Sequence, residues 1–145
     1  MKKTAHDPAS LVRPEYYRIW ARDHVRFADM DMFGHCNNKA FATFFEEGRI
    51  AFAEACGMAL DPGEMGRAMI RNSISYRAEM FLGDEVRIGV ALLEMGRGFI
   101  TLGSALFCGD VCTATEEAVL AFFDRSTKRM CPLPASLRAK LESML

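Results

Sequence analysis

Hydrophobic positions change their period part-way along this chain, and that change organises it. From Tyr17 to Phe27, the apolar residues Tyr17, Ile19, Trp20, Val25 and Phe27 alternate imperfectly with polar ones, which predicts a strand. The stretch ADMDMFGHCN that follows has no period and predicts a loop. Beyond it Ala40, Phe41, Phe44, Phe45, Ile50, Ala51, Phe52 and Ala55 recur at near-helical spacing, and Gly57 stands where a C-terminal cap belongs. This helix is apolar on more than one face around Phe41, Phe44 and Phe45, a pattern that suits enclosure. Gly48 weakens it in the middle and marks a close approach to a sheet.

The segment MALDPGEMGR, rich in Gly and Pro, reads as a loop with at most a short helical turn. Strand patterns then follow one another to about Asp124. Ser73 to Phe81 ends at Leu82-Gly83-Asp84, and Val86 to Glu94 at Gly96-Arg97-Gly98. Phe99 to Phe107 turns at Gly109-Asp110 into Val111 to Phe123, and the tail PLPASLRAKLESML predicts a short amphipathic helix from near Pro134. Residues 1 to about 16, with Pro8 and Pro14, read as a loosely held arm. The order strand, long helix, about four antiparallel strands and terminal helix predicts one α+β domain over 1–145, an antiparallel sheet of about five strands wrapped around a long central helix. Such a sheet leaves edges and an uncovered face, which a second copy would cover.

Composition narrows the function classes. The 145 residues carry 18 Lys+Arg against 19 Asp+Glu, so no global field attracts nucleic acid. The longest uncharged run, between Arg97 and Asp110, is too short to span a bilayer, and no apolar stretch follows Lys2-Lys3 to make a signal peptide. Cys36, Cys56, Cys108, Cys112 and Cys131 are odd in number and scattered, without CxxC or a zinc spacing, which suits reduced thiols in the cytoplasm. Cys108 and Cys112 are expected to face one another across a hairpin end. The ten methionines read as irregular core filling.

The densest chemistry is Asp29, Asp31, His35, Cys36, Asn37 and Asn38, at the turn from strand to helix. Free N–H groups at a helix start can hold a developing oxyanion, and a carboxylate just upstream can act as base or nucleophile. These are the parts for hydrolysing an activated acyl group. On spacing alone the same residues also fit plain Asx-type turns, with Asn37 as a helix N-cap. A calcium loop starting at Asp29-x-Asp31 fails, because Phe33 and Ala40 stand where oxygen ligands belong. No metal site is expected.

The segment VRFADMDMFGHCNNKAFATFFEEGRIAF resembles the signature of hotdog-fold thioesterases of the 4-hydroxybenzoyl-CoA thioesterase type, roughly D-x-D-x-x-G-H-x-N-N before an aromatic helix with an acidic pair and Arg. Asp29, Asp31, Gly34, His35, Asn37, Asn38, Phe41, Glu46, Glu47 and Arg49 carry it, and SISYRAEMFLGDEVRI and FFDRSTKRMCPLPASLRAKL extend it almost to the end. The resemblance implies a hotdog fold and an acyl-CoA thioesterase. It implies Asp31 as the catalytic carboxylate, the Asn38 backbone N–H as oxyanion donor, His35 as an auxiliary and Asn37 as a tie for the loop. Phe33, Gly34, Asn37, Ser73 and Ser75 are the expected substrate contacts, with Asn72 beside them; Arg71, Arg77, Arg97 and Lys128 are candidates for coenzyme A phosphates.

The loop is also similar to that of plant acyl-carrier-protein thioesterases, but Phe33 and Gly34 replace an Asn and a Gln there. Another hotdog branch uses a helix glutamate as catalyst, a position that Glu46 or Glu47 could match; with Asp31 present, both are expected to be solvated or interface acids. The implied substrate is an acyl-CoA, with no cofactor beyond the coenzyme A it carries, and the implied assembly is a homodimer or a tetramer of such pairs. Three other readings remain: an acyl-carrier-protein thioesterase, a hotdog hydratase or dehydratase, and a non-catalytic acyl-CoA-binding module.

Overall fold

The computed structural model describes residues 2–3, 7–58, 63 and 65–145. Its long helix, α1 (Asn38–Ala55), is fixed at both ends by the expected signals. The Asn37 side chain caps the start by accepting from the Lys39 N–H at 2.9 Å, and Gly57 follows the end with φ +70°. Phe44, Phe45 and Phe52 are fully buried, so the helix is the core rather than a cover for it.

Around it lies one antiparallel sheet. The strands are β1 (Lys2–Lys3), β2 (Ile19–His24), β3 (Met65–Tyr76), β4 (Glu85–Met95), β5 (Phe99–Cys108) and β6 (Val111–Asp124). The order is β4-β5-β6-β3, with β2 and the two-residue β1 both paired to the outer side of β4. The helix-facing side carries Ile88, Val90, Ile100, Leu102, Leu106, Ala114 and Phe122. Gly48 lets α1 settle on that side, since a Cβ there would stand 2.6 Å from Ile88 Cγ2 and 2.8 Å from Val90 Cγ2. This is the hotdog architecture that the resemblance implied, with five long strands around a central helix.

Mid-helix, Arg49 reaches the sheet and donates to both carboxylate oxygens of Glu116 on β6, at 2.6 and 2.8 Å. The Glu116 side chain has no solvent exposure, and Asn72 supplies a further hydrogen bond. Burial holds its carboxyl above the ordinary value, while the guanidinium pulls the other way.

Several boundaries differ from the sequence pattern. The first strand stops at His24, because Asp84 O and Gly83 N–H take the backbone of Val25, and Phe27–Asp29 closes as a 3-10 turn. β3 begins at Met65 and ends at Tyr76, so 77–81 is not strand. Of the loop expected over 58–67, Ala59–Pro62 and Glu64 lie outside the described residues.

The arm is not loose over its second half. Pro8–Val12 and Pro14–Tyr16 form 3-10 turns, and Leu11 and Tyr17 pack with Leu93, Ala105 and Phe107 on the face turned away from α1. Tyr17 donates its hydroxyl to Leu11 O at 2.7 Å, which staples the arm down. The two-residue turn pairs Cys108 with Val111 and Cys112 with Phe107. The two thiols therefore pack against opposite faces of the sheet, Cys108 with the helix-side core and Cys112 with the arm. They do not face one another as expected, and all five cysteines are free thiols. The tail helix, α2 (Ala135–Glu142), follows Pro134 and buries Leu137 and Leu141.

Candidate active site

The loop between β2 and α1 folds back on itself to deliver its side chains to the helix start. Asp31 N–H donates to His35 O and Gly34 N–H to Asp31 O, a turn that needs the +83° φ of Gly34. Asn37 N–H donates to Asp29 O at 2.7 Å, and Cys36 N–H to Met80 O at 2.7 Å. Asp29 itself turns away, accepting the Arg26 N–H and belonging to the 3-10 turn.

Asp31 is held on both carboxylate oxygens. Oδ1 accepts the Phe33 N–H at 2.9 Å, an Asx turn, and Oδ2 accepts the Asn37 amide at 3.0 Å. Asn37 thus serves two purposes, capping α1 and orienting the acid. His35 Nε2 stands 4.0 Å from Asp31 Oδ1, a gap that a bridging water can span. The Asn38 N–H, first in the helix, makes no hydrogen bond among the described residues, so it remains available to an incoming oxygen.

A cleft of about 550 Å³ opens over these groups. Asp31, Phe33, His35, Cys36, Asn37, Asn38 and Phe41 line one side, and Tyr76, Arg77, Ala78 and Glu79 the other. Phe41 and Tyr76 meet edge to face, their centroids 5.1 Å apart, giving the cleft an apolar floor. Phe33 at its mouth is 80% exposed and Met32 beside it 92%. Burial, reinforced by the Asp29 carboxylate and other nearby acids, pushes the Cys36 thiol up to about 11, which denies this cysteine the thiolate a nucleophile needs.

The remaining expected site residues lie elsewhere in the protomer. Ser73 and Ser75 pair with Glu117 and Thr115, on the sheet face turned away from the helix. Arg71 pairs with Val119 on that same face. Arg97 and Lys128 sit at the far end of the strands, roughly 35 Å of strand length from the Asp31 loop. Of the four cations, Arg77 alone lines the cleft. Glu46 and Glu47 are exposed on α1, two turns or more beyond Asn38. Glu79 is the residue sequence reading did not single out: its Oε1 lies 2.8 Å from His35 Nδ1, across 44 positions of chain. Among the described residues no cluster of three or more His, Cys, Asp and Glu could hold a metal ion.

Comparison with known proteins decides the family, because the thioesterase-like superfamily profile matches residues 25–141, from just before the acidic loop to the tail helix. The chain belongs to the thioesterase-like superfamily. A thioesterase of Thermus thermophilus, crystallised with coenzyme A and Zn, is 27% identical to this superfamily member. The match covers 88% of this chain and 94% of that one, with a TM-score of 0.79. The 1,4-dihydroxy-2-naphthoyl-CoA thioesterase Slr0204 of Synechocystis shares the fold at 14% identity, over 87% of this chain and 96% of its own, with a TM-score of 0.80. The uncharacterized protein YsmA of Bacillus subtilis (strain 168) is 31% identical over 78 residues. That stretch spans 54% of this chain and about half, 53%, of the relative. No helix among the described residues of this thioesterase-like chain is long and apolar enough to cross a membrane.

Proposed function

We propose that this protein hydrolyses acyl-CoA thioesters to free acid and coenzyme A. The observation that carries this reading is the placement of the doubly held Asp31 carboxylate beside the unoccupied N–H of Asn38, on one wall of an open cleft. A thioester carbonyl with its oxygen on the Asn38 N–H presents its carbon to Asp31. There the carboxylate acts as base on water taking the position between Oδ1 and His35 Nε2, or as nucleophile, forming a mixed anhydride that a water then hydrolyses to free acid and the regenerated Asp31 carboxylate. Negative charge developing on the carbonyl oxygen is met by the N–H and the positive end of the α1 dipole. Collapse of the intermediate expels the thiolate of coenzyme A, a good leaving group that needs little acid assistance.

Phe33, Phe41 and Tyr76 would contact the acyl group, with Gly34 and Asn37 keeping the loop close to it, and Arg77 at the rim is the cation best placed for the phosphates of coenzyme A. The crystallised coenzyme A in the Thermus relative supports that choice of thiol carrier. Ser73 and Ser75 would reach substrate only from a partner copy. The pairing edge for that copy is β3, the end strand of the sheet, where Ile70 is 62% exposed and Met69 and Tyr76 stand out beside it. A homodimer through this edge would cover the open side of the cleft; light scattering of the purified protein separates it from a tetramer. Five free cysteines suit the reducing cytoplasm.

Thiol release from a panel of short, medium, long and aromatic acyl-CoAs tests the reading. Turnover of at least one class is expected. Tight acyl-CoA binding without release of thiol would replace the enzyme by a binding module, and water addition to crotonyl-CoA would replace it by a hydratase.

A further inference from the structure

We propose that Glu79 is a positioning residue, which fixes the tautomer and orientation of His35 so that Nε2 faces the Asp31 carboxylate. The inference deepens the thioesterase reading and rests on it for its kinetic consequence, though not for its structural one.

Three observations carry it. The His35 ring lies between two carboxylates, with Nδ1 2.8 Å from Glu79 Oε1 and Nε2 4.0 Å from Asp31 Oδ1. The first distance is a hydrogen bond and the second is not. A carboxylate only accepts, so the short contact requires the proton on Nδ1, and a neutral ring then carries its lone pair on Nε2. The second observation is the fixation of the Glu79 backbone. Arg77 and Ala78 N–H both donate to Thr113 O, and Met80, fully buried, accepts from Cys36 N–H inside the loop that carries Asp31. Glu79 is therefore held against that loop by the residues on either side of it. The third is that the Glu79 side chain is 62% exposed, so its contact with His35 contributes little to stability. Its consequence falls on the ring it touches.

With Nε2 a lone-pair acceptor and Asp31 Oδ1 another, the 4.0 Å gap suits a water that donates one hydrogen to each. That geometry aims the water's own lone pair away from both acceptors, toward the thioester carbon on Asn38. In the opposite tautomer Nε2–H would donate to Asp31 directly and compete with the water for it.

The tautomer is read from ¹⁵N–¹H long-range correlation spectra of the resting protein at alkaline pH, with no substrate. The chain has three histidines, and His35→Gln identifies the His35 signals. The wild type should show His35 protonated on Nδ1. Glu79→Gln, which keeps an acceptor oxygen, should preserve that pattern, and Glu79→Ala should move the proton to Nε2. On the best acyl-CoA, Glu79→Ala should lower kcat by up to about 100-fold with KM held, as for a misplaced catalytic group, and Glu79→Gln by less.

A wild-type His35 carrying its proton on Nε2 would overturn the proposal, as would an Ala variant with unchanged tautomer. A shifted tautomer with unchanged kcat would overturn the role in the reaction. A protein that hydrolyses no thioester would sink the thioesterase reading and the kinetic claim with it, while the spectra would still decide what orients His35.

Discussion

Removing the Arg49 guanidinium should reveal how much the central helix depends on its ionic anchor to Glu116 in the sheet. Arg49→Met leaves the Glu116 carboxylate with no solvent exposure and no cation. Breaking a buried pair by deleting one partner costs about 3–5 kcal/mol. A domain of this length has roughly 7–22 kcal/mol in total at about 0.05–0.15 kcal/mol per residue. The loss is thus large, and it corresponds to a fall in Tm of roughly 6–20 °C.

Its pH dependence distinguishes it from a simple packing defect. Burial already raises the Glu116 carboxyl, so the folded state binds that proton more tightly than the unfolded chain does. The stability that the proton confers is complete in acid and is lost as pH climbs from the ordinary carboxylate range through the raised value. Without Arg49 that value rises further, so the deficit of Arg49→Met should be small at acid pH and reach its full size near neutrality. Urea unfolding followed by the single tryptophan, Trp20, at fixed protomer concentration and at pH 5 and pH 8 measures it. The double variant Arg49→Met with Glu116→Leu, which removes both charges, should recover most of the loss. A deficit below about 1 kcal/mol, or one equal at both pH values, would refute the reasoning.

Other consequences are as specific. Gly48→Ala gains about 1 kcal/mol of helix propensity. It also drives a methyl into the stiff β-branched side chains of Ile88 and Val90, so a net loss of about 1–2 kcal/mol is expected in the same urea titration, and stabilisation would show that the helix can lift. Asn37→Ala removes both the cap of α1 and the amide on Asp31 Oδ2. It should cost about 1 kcal/mol of stability and at least about tenfold in kcat; unchanged kcat would mean that the amide does not orient Asp31. The Cys36 thiol, pushed up to about 11, has a thiolate fraction of about 10⁻³ at pH 8. It should therefore be alkylated far more slowly than free cysteine, with mass spectrometry as the readout, and rapid labelling would contradict its placement.

The helix and the acidic loop were legible in the sequence because their signals are local. The Phe41, Phe44, Phe45 and Phe52 stripe, the Asn37 cap and Gly57 all act within one or two turns of the residues they govern. Gly48 was legible for the same reason: a glycine inside a strong helical pattern marks a contact. What escaped depends on pairing between distant segments. Glu79 meets His35 across 44 positions, and no pattern around Tyr76-Arg77-Ala78 marks it as part of the site. Cys108 and Cys112 looked like partners until the strand register put them on opposite faces, and a turn sequence alone does not give register. The arm looked loose because its prolines conceal single anchors, Leu11 and Tyr17, whose burial depends on a sheet face built from β4 and β5. Ser73 and Ser75 alternate correctly as strand residues, yet which face they take follows from the irregularity near Ile70, which shifts the pairing between Met69 and Arg71.

The central claim is that Asp31 performs chemistry on a thioester. Free thiol release from acyl-CoA should be compared between the wild type and Asp31→Asn, which keeps the size of the side chain and an acceptor oxygen for the Phe33 N–H while giving up the acceptor that faces the Asn37 amide. Loss of a general base is expected to lower kcat by about 10²–10⁴, with the fold and acyl-CoA binding intact. Turnover surviving in Asp31→Asn would contradict the account, because the cleft would then be doing its chemistry with another group.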